Sequence, residues 1–224
     1  MKKSIADSSR NPTEFQRFTR AIANSDLDTL RKLIASKASV DATNGQKQTP
    51  LEFALTSSRF PAALVLLQAG AKLNASEDYV SKALMTAASA GETELLRMLI
   101  TAKVDVNTVS KKGNTALSSA IHNNHALTAQ VLIGAGAHFD PKADYLQKVL
   151  CEVATRGDAP MLRLLMSLKA SVDVVDKKRR SLMDLAQLKG HTEVIDLLLS
   201  TRQASPASQT LTGQSTALFR AIHD

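Results

Sequence analysis

Apolar residues recur along the chain with a period of 33 positions. The leading apolar residue of each period stands at Phe18, Leu51, Leu84, Leu117, Leu150 and Met183. Small residues follow three positions later, at Ala21, Ala54, Ala87, Ala120, Val153 and Ala186. Turn residues follow seven positions later, at Ser25, Ser58, Gly91, Asn124, Gly157 and Gly190, and each precedes an apolar stripe of helical spacing. This pattern predicts a repeated unit of helix, tight turn and helix.

One such unit is too small to bury its own apolar face. The small positions let the first helix approach its neighbours closely, and the second helix, which is rich in leucine, fills the space behind it. Only 4% of the residues are aromatic, so the core must consist mostly of Leu, Ala, Val, Ile and Met. We therefore expect a solenoid of six stacked units, stabilised by contacts between neighbours.

Short motifs within these units resemble the ankyrin repeat. The motifs are TPLEFA at 49–54, TALSSA at 115–120, GETELL at 91–96 and GHTEVI at 190–195. The resemblance covers residues 12–202 and implies an all-α ankyrin-repeat solenoid of stacked helix-turn-helix units with hairpin loops. The predicted repeats are 12–43, 44–76, 77–109, 110–142, 143–175 and 176–202. Because this fold carries many unrelated binding roles, the resemblance specifies no partner.

The repeats alternate between two types, which gives a unit of 66 residues. In the repeats around Leu84 and Leu150, Lys82 and Lys148 replace the family's hairpin threonine. The predicted second-helix caps alternate as well, in the order Lys37, Gly70, Lys103, Gly136 and Lys169. Lysine in a left-handed cap costs up to about 1 kcal/mol relative to glycine, so the lysine turns either carry slight strain or have a different shape.

The two ends of the chain differ in composition from the repeats. Asn11 followed by Pro12 predicts a helix start with proline at the first helical position, after a mobile tail at 1–11. Residues 203–214 are rich in Ser, Thr and Gln, which is typical of a linker. Residues 215–224 contain TALFRAIH, which repeats the pattern TALSSAIH of 115–122. This segment is either the start of a further repeat in a fragment of a longer protein or a short capping helix.

Composition excludes several classes of protein. The chain carries 28 basic and 21 acidic residues, a net charge of +7 that favours acidic partners. The single cysteine excludes an internal disulfide framework and fits a reducing compartment, so we expect a cytoplasmic location. No stretch approaches the roughly 18 apolar residues of a membrane span, and no apolar run follows the basic start as in a secretory signal.

Residues of catalysis and metal binding do not cluster in the sequence. Phosphate loops, dinucleotide fingerprints and nucleophile elbows have no match. His122 and His125 could share a helical face, but His125 matches a structural histidine of the family and no ligand cluster accompanies the pair. Cys151 occupies a family histidine position and reads as a small half-buried residue. We predict no enzyme activity, no cofactor and no metal site.

The resemblance places partner recognition on a concave face formed by hairpin tips and inner helices. The 25 variable positions of that face hold seven basic and two acidic residues, hence +5 of the net charge. The side chains expected to contact a partner are Tyr79, Lys111, Lys112, His122, Tyr145, Arg156, Lys177, Lys178, Arg180 and Lys189. We expect Tyr79 and Tyr145 at the same hairpin-tip position, two repeats apart.

We therefore expect a monomeric, non-catalytic module that binds an acidic or mixed-charge protein segment in a basic groove. The alternative is a domain that recruits substrates or host targets for a longer enzyme or a secreted bacterial effector, acting in the host cytosol. The basic run at 177–180 resembles a nuclear-import signal or a phosphate contact. The chain lacks the interleaved aromatics and recognition helix of nucleic-acid binders and any separate basic amphipathic helix for a membrane surface.

Replacing Tyr79 or Tyr145 with alanine tests whether these side chains anchor a partner. Tyrosine combines contact area, rigidity and a hydrogen bond, so we expect each change to weaken binding by on the order of 1–2 kcal/mol with the fold intact. Calorimetric titration would measure the affinity, and circular dichroism would control for folding. Unchanged affinity in both variants would show that the tyrosines only cover the backbone of two related repeats.

Overall fold

The computed structural model describes residues 13–75 and 77–203. Within these ranges the chain forms twelve α-helices and no strand, which confirms the all-α repeat class. The helices are α1 Glu14–Ala23, α2 Leu27–Ala35, α3 Pro50–Thr56, α4 Phe60–Gln68, α5 Asp78–Ala90, α6 Thr93–Thr101, α7 Ala116–His122, α8 Ala126–Gly134, α9 Tyr145–Arg156, α10 Ala159–Ser167, α11 Leu182–Lys189 and α12 Thr192–Gln203.

The helices belong to two compact units, Met1–His138 with α1 to α8 and Phe139–Asp224 with α9 to α12. In the first unit the odd-numbered inner helices pack on one another in chain order, and so do the even-numbered outer helices. In the second unit α9 packs on α11 and α10 packs on α12. Each unit therefore has the neighbour-on-neighbour stacking that the 33-residue period predicts.

The core of each unit consists of the periodic positions. The leading apolar residue is at most 1% exposed at Phe18, Leu51, Leu84, Leu117 and Leu150. The small residue three positions later is at most 4% exposed at Ala21, Ala54, Ala87, Ala120, Val153 and Ala186. Small side chains at these buried positions allow close approach of the inner helices, as the sequence pattern indicates.

A left-handed residue follows each inner helix and reverses the chain. The backbone φ angles lie between 55° and 78° at Ser25, Ser58, Gly91, Asn124, Gly157 and Gly190. In every case the next amide donates to the carbonyl oxygen five residues before it. This bond is the mark of a Schellman cap, which satisfies helix carbonyls that would otherwise lack donors.

The outer helices end in the same way whether lysine or glycine follows them. The φ angles are 61°, 85°, 62°, 88° and 62° at Lys37, Gly70, Lys103, Gly136 and Lys169. Each of these amides donates to the carbonyl three residues back, and the following amide donates to the carbonyl five residues before it. A different shape for the lysine turns is therefore excluded, and these caps keep the modest cost of a side chain in the left-handed region.

Inner helices alternate between long and short, so the two-repeat unit is present in the structure. Helices α5 and α9 have 13 and 12 residues, whereas α3, α7 and α11 have seven, seven and eight. The short helices begin after Thr49, Thr115 and Ser181, whose side-chain oxygens accept an amide hydrogen bond from the first turn. A capping hydroxyl at this position therefore fixes where the short helices start.

The long helices correct one expectation about the binding face. Tyr79 and Tyr145 were expected on hairpin tips, but they lie in the first turns of α5 and α9. Lys82 and Lys148 supply no capping hydroxyl, and the buried positions Val80 and Leu84 continue the helical period toward the N-terminus. The helix consequently replaces the hairpin tip in these two repeats.

The first helix begins two residues later than the expected start at Pro12. The Thr13 hydroxyl accepts a hydrogen bond from the amide of Gln16 at 3.2 Å, and the Gln16 side chain accepts one from the amide of Thr13 at 2.9 Å. This capping box makes Thr13 the cap and Glu14 the first helical residue. At the other end α12 includes residue 203, where the linker was expected to begin. The predicted tail at 1–11 and the segment 215–224 lie outside the described residues.

Two histidines each donate a hydrogen bond to the preceding repeat, and the ring of each lies against a glycine of that repeat. Nε2 of His125 donates to the carbonyl of Ser89 at 3.0 Å, and Nε2 of His191 donates to the carbonyl of Thr155 at 2.9 Å. A Cβ atom on Gly91 would lie 2.6 Å from Nδ1 of His125, and one on Gly157 would lie 2.5 Å from Nδ1 of His191. The imidazole therefore occupies the space that any side chain at these turns would need.

A matched pair of glycine substitutions tests this contact. Gly91→Ala and Gly136→Ala both place a side chain at positive φ, but only the first meets a neighbouring ring. We expect Gly136→Ala to cost about 1 kcal/mol of unfolding free energy and Gly91→Ala to cost about 1–3 kcal/mol more. Urea denaturation of both variants would measure the difference. Equal losses would show that the His125 ring moves aside freely.

Candidate functional site

Three hairpin tips, at 44–48, 110–114 and 176–180, share one turn. The side-chain oxygen of the first residue, Asn44, Ser110 or Asp176, accepts at least one amide hydrogen bond from within the same tip. The fourth residue has positive φ, with 61° at Lys47, 79° at Gly113 and 60° at Arg179. The tips occur once per 66 residues, because the long inner helices replace them in the alternate repeats.

Asp176 holds the third tip together. Its Oδ1 atom accepts the amides of Lys178 and Arg180 at 2.8 and 2.9 Å, and Oδ2 lies 2.6 Å from Nη2 of Arg180. Hydrogen bonds from the backbone and side chain of Arg180 hold the pKa of this carboxyl below its ordinary value. Arg180 is thus part of the hairpin as well as part of the expected binding face.

A groove of about 500 Å³ opens in the second unit between α9, α11 and the third hairpin tip. Its lining consists of Asp144, Gln147, Lys148, Cys151, Glu152, Thr155, Arg156, Val175, Asp176, Lys177, Arg180 and Leu185. The side chain of Gln147 donates to the carbonyl of Val175 at 2.8 Å, which ties the hairpin arm to α9. The groove is therefore a preformed feature that both helices and the hairpin help to build.

The groove has an apolar part and a charged part. Cys151, Val175 and Leu185 contribute apolar surface, and Val175 is the most exposed of the three at 41%. Charged side chains of α9 and of the hairpin tip surround them. We refer to Cys151, Val175 and Leu185 as the groove floor. An apolar floor with a polar border is the usual composition of a ligand-binding concavity.

The charges around the groove are more balanced than the sequence positions suggested. Four cationic and three acidic residues line it. Lys148 and Arg156 lie 3.8 and 3.9 Å from the Glu152 carboxylate, and Arg180 is bound to Asp176. Lys177 is exposed and has no ion pair within the described ranges. Lys148, Glu152 and Asp176 lie outside the positions used for the sequence count, and together they make the groove less positive by one charge.

Cys151 is half-buried at the groove floor. Burial raises the pKa of its thiol, and the nearby carboxylates of Asp176 and Glu152 raise it further. The thiol is therefore protonated at neutral pH, which is the opposite of the activation that a nucleophilic cysteine needs.

The predicted partner residues of the second unit divide into two groups. Arg156, Lys177 and Arg180 line the groove, whereas Lys178 and Lys189 are exposed outside its lining. Tyr145 is also outside the lining and is half-buried, so burial, followed by the charge of Asp140, raises the pKa of its phenol.

The first unit carries its own predicted residues. Lys111 and Lys112 are exposed on the second hairpin tip, and His122 is exposed at the end of α7. Tyr79 is half-buried on α5, and burial is the main reason why the pKa of its phenol is raised, ahead of the charges of Glu52 and Glu77. These residues do not line the groove of the second unit.

Sequence reasoning missed several groove residues, including Lys148, Cys151 and Glu152. Together with Asp144 and Arg156 they form a stripe at helical spacing along α9, one turn apart. This stripe is visible in the sequence once α9 is known to extend to Tyr145. The length of the helix accounts for Lys148, which aligns with the capping residue Thr115. Cys151 and Glu152 align with Ser118 and Ser119 inside α7, and those helix positions are not among the variable positions that were expected to form the binding face.

The described residues include no group of three metal-ligating side chains close enough to hold an ion. In the same part of the chain, no helix has both the length and the apolar character that crossing a membrane requires.

Models of the ankyrin family match two stretches of the chain. The model of ankyrin repeats in many copies matches residues 18–67, and the model of ankyrin repeats in three copies matches residues 76–143. The chain belongs to the ankyrin repeat family. Ankyrin repeats are a generic protein–protein interaction module, and this chain shares their helix pairs, turns and hairpins.

Individual ankyrin proteins are similar over most of the chain. The ankyrin repeat protein YahD of Escherichia coli K12 is 23% identical over 80% of this chain and 92% of its own length. The ankyrin repeat and KH domain-containing protein mask-1 of Caenorhabditis elegans is 27% identical over 82% of this chain, but that stretch is 6% of mask-1. The crystal structure of an ankyrin repeat domain from Acinetobacter baumannii AYE has 25% identity and a TM-score of 0.51, covering 82% of this chain and 96% of that chain.

The Asp176 to Arg180 ion pair makes a prediction about pH. Asp176→Asn should keep the turn, because Asn44 makes the same two amide contacts in the first tip, and should remove only the ion pair. A lowered carboxyl pKa contributes stability above the ordinary value of 3.8 and loses it as the pH falls through the folded-state pKa. Wild type should therefore exceed the variant in unfolding free energy at neutral pH, and the difference should vanish in acid.

Urea denaturation of wild type and Asp176→Asn at a series of pH values would measure this difference. The matching substitution Asp173→Asn, at an exposed carboxylate with no ion pair among the described residues, controls for the change in net charge. A gap between wild type and Asp176→Asn that stays constant from about pH 7 to about pH 2 would contradict the role of the ion pair.

Proposed function

We propose that the groove of the second unit binds an extended protein segment of mixed charge. An apolar side chain of the segment would lie on the groove floor, and a neighbouring carboxylate would pair with Lys177. The observation that carries this proposal is the combination of an apolar groove floor, where Val175 is 41% exposed, with a cation, Lys177, that has no carboxylate partner within the described ranges. Such a pair of features recognises a short motif of one apolar and one acidic residue.

The dimensions and rigidity of the groove support this reading. Its volume of about 500 Å³ is within the range of pockets that bury most of a small ligand. A groove of this size can hold a few side chains of a peptide. The hydrogen bond from Gln147 to Val175 and the internal bonds of Asp176 hold the hairpin in place before binding. A preformed site loses little conformational freedom when a ligand binds, which favours affinity.

The ion pairs around the groove can exchange partners when a ligand arrives. Glu152 lies almost equally far from Lys148 and Arg156, at 3.8 and 3.9 Å, and all three side chains are at least 37% exposed. Exposed pairs of this length contribute only about 0–1 kcal/mol. A ligand carboxylate can therefore displace Glu152 at small cost, which extends acidic recognition from Lys177 to α9.

We further infer that the chain is a monomeric, non-catalytic interaction module of the cytoplasm. Its other expected contact residues would enlarge the binding surface: Tyr145, Lys178 and Lys189 in the second unit, and Tyr79, Lys111, Lys112 and His122 in the first. The neutral thiol of Cys151 supports a binding role for the groove rather than a nucleophilic one.

Selection from a displayed library of random peptides tests the proposal without a known partner. We expect the enriched peptides to contain Asp or Glu beside Leu, Ile or Phe. Lys177→Glu should weaken their binding about tenfold, because it replaces an attraction for the peptide carboxylate by a repulsion at the charged border of the groove. The control variant Lys32→Glu makes the same charge change on the exposed surface of outer helix α2.

A second variant tests the groove floor independently of Lys177. Cys151→Arg would fill the floor and should abolish selection of the apolar residue, and circular dichroism would confirm the helical content. Peptides without a shared motif, or equal affinity for wild type and Lys177→Glu, would contradict the proposal. Equal weakening by Lys177→Glu and Lys32→Glu would reduce the interaction to net charge alone.

A further inference from the structure

The last described repeat has a less complete core than the five before it. The leading apolar residue is at most 1% exposed in the first five repeats, and Met183, which holds that position in the sixth, is half-buried. Twelve positions later, the aligned residues are 0% exposed at Leu30, Ala63, Leu96, Ala129 and Leu162. Ile195 holds that position in the sixth repeat and is half-buried as well.

These residues belong to one face of the α11 and α12 pair, which we call the end face. Leu199 of α12 adds a side chain that is 44% exposed, and Gln187 of α11 contributes an exposed amide. Within the first unit, the corresponding face of each of the first three repeats is covered by the helices of the following repeat. The end face thus combines apolar side chains of the kind that the other repeats cover with one exposed amide.

The chain itself contains a segment that matches this surface. When the sequence 216–223 is aligned with that of α7, Ala217, Leu218, Ala221 and Ile222 correspond to Ala116, Leu117, Ala120 and Ile121. Those four residues of the seventh helix are all at most 1% exposed. We propose that residues 216–223 dock on the end face and cover Met183 and Ile195.

The length of the chain allows this docking. Thirteen residues, 204–216, separate the end of α12 from Ala217. Fourteen residues separate α6 from α7, and fourteen separate α10 from α11, so the distance along the chain is close to that of an ordinary repeat. A tethered segment is present at an effective concentration on the order of millimolar, which favours it over a second copy of the chain.

The native side chain of Met183 reports on this contact. Peroxide oxidises a methionine in proportion to its exposure, and mass spectrometry of the digested full-length chain measures each methionine separately. In the variant with Leu218→Asp and Ile222→Asp, we expect Met183 to oxidise about tenfold faster than in wild type. Met85, which lies in α5 of the other unit, serves as the internal reference.

Two control variants sharpen the test. Ser208→Asp with Thr210→Asp adds the same charge between α12 and the segment and should leave the oxidation of Met183 unchanged. Leu218→Met keeps an apolar side chain and should keep Met183 protected. Equal oxidation of Met183 in wild type and the Leu218→Asp, Ile222→Asp variant would overturn the proposal, as would protection that depends on protein concentration, since a second copy would then cover the end face.

This inference is independent of the groove in the second unit. The peptide selection depends on Lys177 and Cys151, whereas the oxidation test depends on Met183 and on residues 216–223. Either result can fail while the other stands.

Discussion

A residue in the left-handed conformation follows each outer helix of the first five repeats and each inner helix of all six. This conformation lets the amide of the next residue donate to the carbonyl five residues before it. The bond reverses the chain, so that the following helix packs against the helix that has just ended. The residue type matters less than the bond, since serine, asparagine, lysine and glycine all occupy these positions. Helix pairing, and therefore every buried contact of the core, depends on this reversal.

Alternation is the second organising feature of the molecule. A histidine that donates to the preceding repeat needs a glycine opposite its ring, so Gly91 accompanies His125 and Gly157 accompanies His191. The same two-repeat rhythm sets the lengths of the inner helices and the spacing of the hairpin tips. The groove of the second unit results from this alternation, because it lies between a long inner helix and the hairpin tip of the following repeat.

Much of the fold could be predicted from the sequence, because buried periodic positions such as Leu84 and Ala87 and turn residues such as Gly91 act locally. The start of α5 and α9 could not, since it depends on whether a capping hydroxyl is present and on how far the buried stripe extends. The charge of the groove depended on that same boundary. Lys148 is a helical residue of the groove because α9 begins before the usual helix start, whereas Glu152 aligns with Ser119 inside the short helix α7 and lies within the helix in either case.

The pairing of glycine with histidine also limits how the gene can grow. Loss of the repeat at 77–109 alone would bring His125 opposite Ser58, whose side chain would occupy the place of the imidazole. Loss of the two repeats at 110–175 would instead bring His191 opposite Gly91 and keep a histidine against a glycine. A glycine repeat and the histidine repeat that follows it are therefore inherited best as one piece.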